Sequence, residues 1–394
     1  MPTLWKSIVV VGLCAAMCSC SDPQTSEPAT ESPEAAMRRR AMLAALADNV
    51  YVPTYGSFAQ HTAALVSATD GLDEDASGLA AAQQAWRDAA IVWQRAELMS
   101  IGPAGASEFN VAGAGDRRAE IYSWPQVNRC RVDQELVEKS YEDLATLAAE
   151  PINVRGLDAL EYLLFRTDGG NDCAANSAIN RDGAWAQLGD DEVARRRRAY
   201  AHAAATLLAS EASDLHSAWL NGFRDELAGA GDTSTIYPTT QAALNEVSNA
   251  LFYLDTDTKD MKLARPLGLS DCDSAACPES LESPWSQASA SHVTANVEGT
   301  LLVWSGADGD GFDDLLVEAG AGELAADIRA RLETARDVCA QVGTLESDLA
   351  ADPPTTGPGR ACYDAIKNYT DLFKTQFLGV LDLEPPDRAD GDND

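Results

Sequence analysis

The chain has 394 residues, 62 of them acidic and 29 basic, and a formal net charge of −33 at pH 7. Proteins that bind nucleic acids neutralise phosphates with lysine and arginine, so this balance argues against a nucleic-acid partner. An acidic surface alone mostly provides solubility. The charge therefore indicates a cationic ligand only where a specific site supports one.

The N-terminal residues have the pattern of an export signal. Residues 8–17 form an apolar run that is shorter than the roughly 20 apolar residues needed to span a bilayer, but has the length of a signal-peptide core. The sequence MCSC that follows at 17–20 resembles the cleavage box of bacterial lipoproteins. We therefore expect a signal peptide at 1–19 and a lipid anchor on Cys20.

Two terminal segments are predicted to be disordered. Residues 20–34 are rich in serine, threonine, proline and glutamate without an apolar period, and residues 384–394 form an acidic tail. Ser21 follows the lipidated cysteine and favours the outer over the inner membrane. We expect a lipoprotein of the bacterial cell envelope that faces the periplasm and contacts the membrane through its lipid alone.

The cysteines support export. Of nine cysteines, two fall within the signal peptide and one carries the lipid, and an exported protein meets an oxidising environment. The remaining cysteines are Cys130, Cys173, Cys272, Cys277, Cys339 and Cys362. Sequence alone does not fix how six cysteines pair, and we expect nearest neighbours to pair, 130 with 173, 272 with 277, and 339 with 362.

The body of the chain is predicted to be all-α, because its periodic segments consist of good helix formers and strand alternation is nearly absent. The predicted helices are 35–69, 76–100, 123–149, 154–165, 182–228, 236–257, 287–304, 322–350 and 359–382. Pro53 should kink or break the first of them. Long helices with short connections favour antiparallel bundles, which we place at 35–230 and 231–383.

The helix at 154–165 carries two acids on its apolar side. At about 100° per residue, its leucines form one stripe, Glu161 lies inside this stripe, and Asp158 lies at its edge. Their spacing allows the two carboxylates to converge. Buried acids without partners are costly, which predicts a bound cation, a neutralising arginine such as Arg155, or a raised pKa.

Glu97 is a candidate third acid. It continues the apolar stripe formed by Trp86, Ala90 and Trp93 on the helix at 76–100. At the end of that helix it could reach water or belong to the same polar site as the two acids above.

Standard catalytic motifs are missing from the sequence. The chain has four histidines and contains no HExxH, GxSxG or P-loop pattern. The sequence therefore gives no catalytic residues.

Five segments together resemble the imelysin family of bacterial envelope proteins. They are AWRDAAIVWQRAELMSIGP (85–103), IYSWPQ (121–126), NVRGLDALEYLLF (153–165), KLARPLG (262–268) and GADGDGFDDLL (306–316). The resemblance implies two helical bundles related by duplication, with the signature helix near their interface. It also implies an exported protein linked to iron supply, in a family first classified as metallopeptidases.

The signature of that family, Gly-x-His-x-x-Glu, is altered in this chain. Gly156 and Glu161 match, but Asp158 stands where the family often has histidine. A pair of carboxylates suits hard cations such as ferric iron, manganese or calcium. A zinc peptidase normally relies on histidine ligands, so the change weakens that interpretation.

We therefore expect a non-catalytic, cation-handling protein associated with iron uptake. It would bind iron, another hard divalent or trivalent cation, or a small iron-bearing ligand, and its metal ligands would be Asp158 and Glu161, with Glu97 as the candidate third. Two alternatives stay open: a metal-dependent peptidase of the imelysin type, and a scaffold that binds a ligand or protein without metal.

Overall fold

The computed structural model describes residues 31–351 and 356–386. Within these ranges the chain forms helices and loops and no β-strand, which confirms the all-α fold class. The predicted signal peptide, Cys20, most of the tether and most of the acidic tail lie outside the described residues. None of the described helices is both long and apolar enough to cross a bilayer.

Turns and several longer loops join the helices. In the first predicted bundle they are α1 Pro33–Leu46, α2 Val52–Thr69, α3 Leu79–Ala96, α4 Arg117–Ile121, α5 Arg129–Glu138, α6 Leu144–Ala149, α7 Gly156–Phe165, α8 Ala178–Arg181, α9 Asp190–Ala218 and α10 Arg224–Ala228. In the second they are α11 Thr240–Leu251, α12 Ser289–Ser305, α13 Phe312–Glu318, α14 Gly322–Cys339, α15 Leu345–Leu349, α16 Pro358–Leu372 and α17 Leu378–Leu381.

Several of these helices are extended by π-helical turns. The π-helical segments are Ala47–Tyr51, Trp219–Phe223, Leu254–Ala264 and Phe373–Phe377. The first joins α1 to α2 without a break, so Pro53 does not end the predicted helix. Pro53 is the second residue of α2 and follows the π-helical segment directly, so the irregular hydrogen bonding that a proline imposes inside a helix coincides with the π-helical turn.

The predicted helix at 123–149 is wrong, because the chain forms α5, α6 and loops there. Pro125 has no N–H to donate, and it disfavours helical geometry at the residue before it. The side chains of Asn128 and Asp143 then cap new helix starts, at 3.0 Å to Arg131 N and 2.7 Å to Thr146 N. Composition favoured a helix, but these local side-chain contacts divided it.

One continuous apolar core runs through both predicted bundles and includes the buried Trp86, Trp93, Trp219 and Trp304. In this core α3 packs against α2 and α12, and α12 packs against α14. Gly299 makes the α3–α12 contact close, because a Cβ atom there would lie 2.3 Å from the carbonyl oxygen of Arg95. The bundle boundary and the duplication stay predictions.

All three expected disulfides are present. They join Cys130 to Cys173, Cys272 to Cys277, and Cys339 to Cys362. The second closes a short loop between the π-helix Leu254–Ala264 and α12, and the third links α14 to α16.

Candidate functional site

The signature helix α7 is buried along nearly its whole length. Gly156 begins it with φ +82°, and a Cβ atom there would lie 2.7 Å from the carbonyl oxygen of Ile121. Only glycine accepts both the left-handed backbone and this close approach. The glycine of the signature therefore fixes how α7 enters the core, and so where its acids lie.

Asp158 is 7% exposed and is held on one side only. The Ser123 hydroxyl donates to its Oδ2 at 2.5 Å, whereas Oδ1 is buried and has no hydrogen-bond partner. Burial raises the pKa of Asp158 to about 7, and the bond from Ser123 and the charge of Arg118 only partly oppose this shift. The carboxyl group is therefore poised to hold a proton or another positively charged partner.

Glu161 is 4% exposed and faces the second predicted bundle. The backbone N–H and the hydroxyl of Ser286 both donate to its Oε1, each at 2.8 Å. Burial raises the pKa of Glu161 to about 7 despite these bonds. Ser286 lies in the loop before α12, so the site is built from segments on both sides of the predicted bundle boundary.

A third buried acid, Glu282, lies in the same loop. Its Oε1 accepts from the Tyr122 hydroxyl at 2.6 Å and from Gln94 Nε2 at 3.0 Å, and it lies 2.8 Å from Lys262 Nζ. Burial alone would raise its pKa, but the charge of Lys262 and the contact with His292 outweigh burial and lower the pKa of Glu282 to about 2. Glu282 is therefore ionised where Asp158 is half-protonated near neutral pH.

The ammonium group of Lys262 supplies a positive charge within the site. Its side chain is fully buried, and Nζ donates to Gln94 Oε1 at 2.6 Å and to Asn296 Oδ1 at 2.9 Å. The rings of Trp124 and Tyr253 lie 5.4 Å and 5.1 Å from Nζ, within cation–π range. Lys262 lies in the π-helix Leu254–Ala264, which places its side chain in the core.

His292 of α12 completes the network. Its Nδ1 lies 3.3 Å from Glu282 Oε2 and 3.3 Å from the Ser283 hydroxyl oxygen. The side chain is 1% exposed, and its Nε2 has no hydrogen-bond partner.

Glu97 and Arg155 have other partners. Glu97 accepts from Trp93 Nε1 at 2.5 Å and from Arg118 Nε at 2.9 Å. Arg155, the expected neutralising arginine, instead pairs with Glu120 at 2.6 Å. Arg155 therefore does not neutralise Asp158 or Glu161, and burial raises the pKa of both; the bound cation stays a prediction.

The donor set limits how a metal ion could be held. Across residues 31–351 and 356–386, no three or more His, Cys, Asp or Glu side chains are grouped so that they could hold a metal ion. Glu282 is engaged by Lys262 and Glu97 by Arg118. In this site Asp158 Oδ1, Glu282 Oε2 and His292 Nε2 are buried without a hydrogen-bond partner. An ion held here would therefore bring further ligands with it.

Sequence reasoning missed most of this network, although signals for part of it were present. Ser123, Lys262 and Gln94 lie in three of the segments that carry the family resemblance, so these segments converge in space. Glu282 and His292 lie outside those segments, and nothing in the local sequence marks them.

Comparisons with known proteins agree with this fold. The family model for imelysin matches residues 51–372. Iron-regulated protein A of Synechococcus elongatus is 28% identical over 276 residues, which cover 67% of this chain and 64% of that protein. The chain thus spans less than two thirds of that relative. The crystal structure of an imelysin-like protein from Psychrobacter arcticum matches with a TM-score of 0.64 and 19% identity, over 89% of this chain and 97% of that one.

Proposed function

This chain belongs to the imelysin family, and we propose that it is a non-catalytic protein of iron supply that holds iron at the buried site around Asp158 and Glu161. One observation carries this proposal: Asp158 Oδ1 is buried without a partner, on the same helix as the buried carboxyl group of Glu161. Burying an unpaired carboxylate is costly unless a positive charge compensates it.

The chemistry of the donors supports iron as the cargo. Carboxylate oxygens prefer hard cations, and Asp158 replaces the imidazole that the signature often has. The named relative of this chain is an iron-regulated protein. Because the protein offers few open donors, the cargo is iron that carries part of its own coordination shell, as in a small iron-bearing ligand.

The proposed location is the periplasmic face of the outer membrane, with Cys20 as the lipid anchor. The three disulfides support an oxidising compartment. Radiolabelled palmitate should enter the native chain and not Cys20→Ser. Equal labelling of the native protein and the Cys20→Ser variant would contradict the proposal that Cys20 carries the lipid.

The metallopeptidase alternative has one clear test. It requires a metal ion with an open position for water, and no such group of ligands is present in the described parts of the chain. We expect no hydrolysis of casein by the purified protein. Hydrolysis that stops with a chelator and with Glu161→Gln would establish the peptidase instead.

The direct test of iron binding uses isosteric variants. Iron(II) under anaerobic conditions and iron(III) citrate are each dialysed against the wild-type protein, Asp158→Asn and Glu161→Gln, and bound iron is counted by mass spectrometry. We expect wild-type stoichiometry near one and at least a tenfold loss of affinity in both variants.

Glu246→Gln is the matched control for these variants. Burial also raises the pKa of Glu246 to about 7, but its backbone partner is Ala112, at 3.3 Å, and it belongs to none of the contacts described above. It should bind iron like the wild type. Equal binding by all four proteins, or by none, contradicts the proposal and favours a scaffold that works without metal.

A further inference from the structure

Exposed apolar side chains gather on three neighbouring helices. Among the described residues six large apolar side chains are exposed, and three of them are Met37 of α1, Val317 of α13 and Val380 of α17, at 60%, 59% and 39%. The helix α13 packs against both α1 and α17. Single exposed apolar residues are ordinary, whereas a group of them marks a contact surface.

Met37 and Val317 border an open groove between α1 and α13. We name this surface the α1–α13 face and define it by Met37, Arg38, Ala41, Leu315 and Val317. Acidic residues line the groove as well, and Arg38 of α1 forms an ion pair with Glu318 of α13. The face thus offers apolar contacts beside paired charges, which suits the region of a bilayer where headgroups meet acyl chains.

The chain enters the folded body beside this face. Glu31, the first described residue, accepts from Thr240 Oγ1 at 2.6 Å and forms an ion pair with Arg39 at 3.2 Å. Ser32 then caps the start of α1. Met37 follows five residues later, which is a rise of about 8 Å along the helix. The point of entry is therefore fixed, and it lies close to the α1–α13 face.

The proposed lipid on Cys20 is near this point along the chain. Eleven residues lead from Cys20 to Glu31, and a fully extended chain of that length spans at most about 40 Å. Residues 38–40 are three successive arginines in a chain with a formal net charge of −33. Basic residues beside an anchor attract anionic headgroups, which repel acidic surfaces. Both the tether and the charge thus favour this end of the molecule as the one that meets the bilayer.

We propose that the α1–α13 face rests on the headgroup layer of the membrane that holds the Cys20 lipid, with Met37 and Val317 inserted among the lipids. The inference rests on the proposed lipid anchor and is independent of the iron site. Because the tether keeps the face near the bilayer, the contact is effectively intramolecular, and a surface too weak to bind vesicles by itself is sufficient. The contact gives the anchored protein one fixed orientation.

Methionine oxidation measures whether Met37 is covered. The lipidated protein, with a protease site inserted after Gln24, is reconstituted into vesicles of phosphatidylethanolamine and phosphatidylglycerol. Dilute hydrogen peroxide is added before or after the protease releases the protein, and mass spectrometry follows the sulfoxide at Met37 and at Met261, which is half-buried in the π-helix Leu254–Ala264. We expect Met37 to be oxidised at least threefold more slowly in the anchored protein, and Met261 at the same rate in both.

Val317→Asp tests the face separately from the tether, because Val317 is far from Met37 in sequence. An aspartate at this exposed position keeps the fold but opposes insertion among lipids, so Met37 of the anchored variant should be oxidised as fast as in the released protein. Leu144→Asp is the matched control, since Leu144 is 42% exposed but lies on α6, and it should leave Met37 protected. Protection that survives Val317→Asp would show that the tether alone shields Met37, and would overturn the inference.

Failure of the face and failure of the anchor give different results. Protein that floats with the vesicles, but whose Met37 is oxidised equally fast before and after release, overturns the inference and leaves the Cys20 anchor standing. Protein that does not float with the vesicles overturns both. Protection of Met37 that continues after release and falls on dilution would assign the face to a second copy of the chain, and so would contradict the membrane contact.

Discussion

At the scale of single residues, burial alone does not decide the charge of an acid here. Asp158, Glu161 and Glu282 are all nearly inaccessible, yet the pKa of the first two is raised to about 7 and that of the third is lowered to about 2. The difference is the ammonium group of Lys262, 2.8 Å from Glu282. The site therefore combines an ion pair with two acids that have no ion-pair partner among the described residues.

The pair of Lys262 and Glu282 gives a prediction about stability. Lys262→Met leaves Glu282 as a buried charge without its lysine partner, so unfolding should become easier by about 3–5 kcal/mol. Adding Glu282→Gln should restore a large part of that loss, because the unpaired charge is then removed. Chemical denaturation of the single and double variants measures both effects, and additive losses would show that the two groups are not coupled.

Glu246 gives a prediction about pH. Its pKa in the folded chain is about 7, above the ordinary 4.5, so the folded state holds the proton longer than the unfolded state does. Its contribution to stability is therefore lost as pH rises from about 4.5 to 7. Glu246→Gln stays neutral, so it should match the wild type at pH 4 and exceed its free energy of unfolding at pH 8, by about 1 kcal/mol or more.

Melting temperatures measured at both pH values test this prediction. A variant that is equally stable or less stable than the wild type at pH 8 would show that the Glu246 carboxyl group is not strained by its burial.

At the scale of helices, sequence patterns predicted those elements whose periodicity runs without interruption. The segments α3 and α7 were predicted because their apolar residues recur at helical spacing, and Asp158 and Glu161 were found because they interrupt that spacing. The predicted helix at 123–149 was wrong because Pro125 and the capping side chains divide the segment, although its composition favours a helix. The π-helix Leu254–Ala264 was not foreseen, since its hydrogen-bond pattern has no separate signal in residue type.

The start of α7 allows a controlled test of backbone strain. Gly156 and Gly320 have almost the same dihedral angle, φ +82° and +80°, but a Cβ atom would clash with Ile121 only at Gly156 and would meet nothing at Gly320. Gly320→Ala should cost about 1 kcal/mol of stability from strain alone. Gly156→Ala should lower the free energy of unfolding clearly more than Gly320→Ala does, and it should also lower iron affinity. Equal losses of stability would show that α7 can shift to accept the added Cβ atom.

The loop before α12 is held by its own disulfide. Cys272 and Cys277 close that loop, and Cys277 N donates to the carbonyl oxygen of Pro266 at 2.9 Å. Glu282 and Ser286 follow directly in the chain. Replacing both cysteines with serine should therefore lower iron affinity several-fold, because Ser286 no longer holds Glu161 in place.

The bond between α14 and α16 is the control for this variant. Replacing Cys339 and Cys362 with serine removes a disulfide that lies outside the site, so it should lower the melting temperature without changing iron affinity. Equal losses of affinity in the two double variants would attribute the effect to general destabilisation.

At the scale of the whole molecule, the site exists only because distant parts of the chain meet. Gln94 of α3, Lys262 of the long π-helix and His292 of α12 are separated widely in sequence but all lie against Glu282. Asp158 of α7 is bonded to Ser123, the residue after Tyr122, which also bonds Glu282. Local periodicity cannot report such pairings, which is why the signature acids were predicted and their partners were not. The acidic surface, by contrast, can be read from composition alone.

The most direct test of iron binding at this network is anomalous diffraction at the iron absorption edge, on crystals grown with iron(III) citrate. We expect one strong peak in the core between α7 and α12, within coordination distance of Asp158 Oδ1, and loss of that peak in Asp158→Asn. A peak confined to the acidic surface, or no peak in crystals of the wild-type protein, would contradict it.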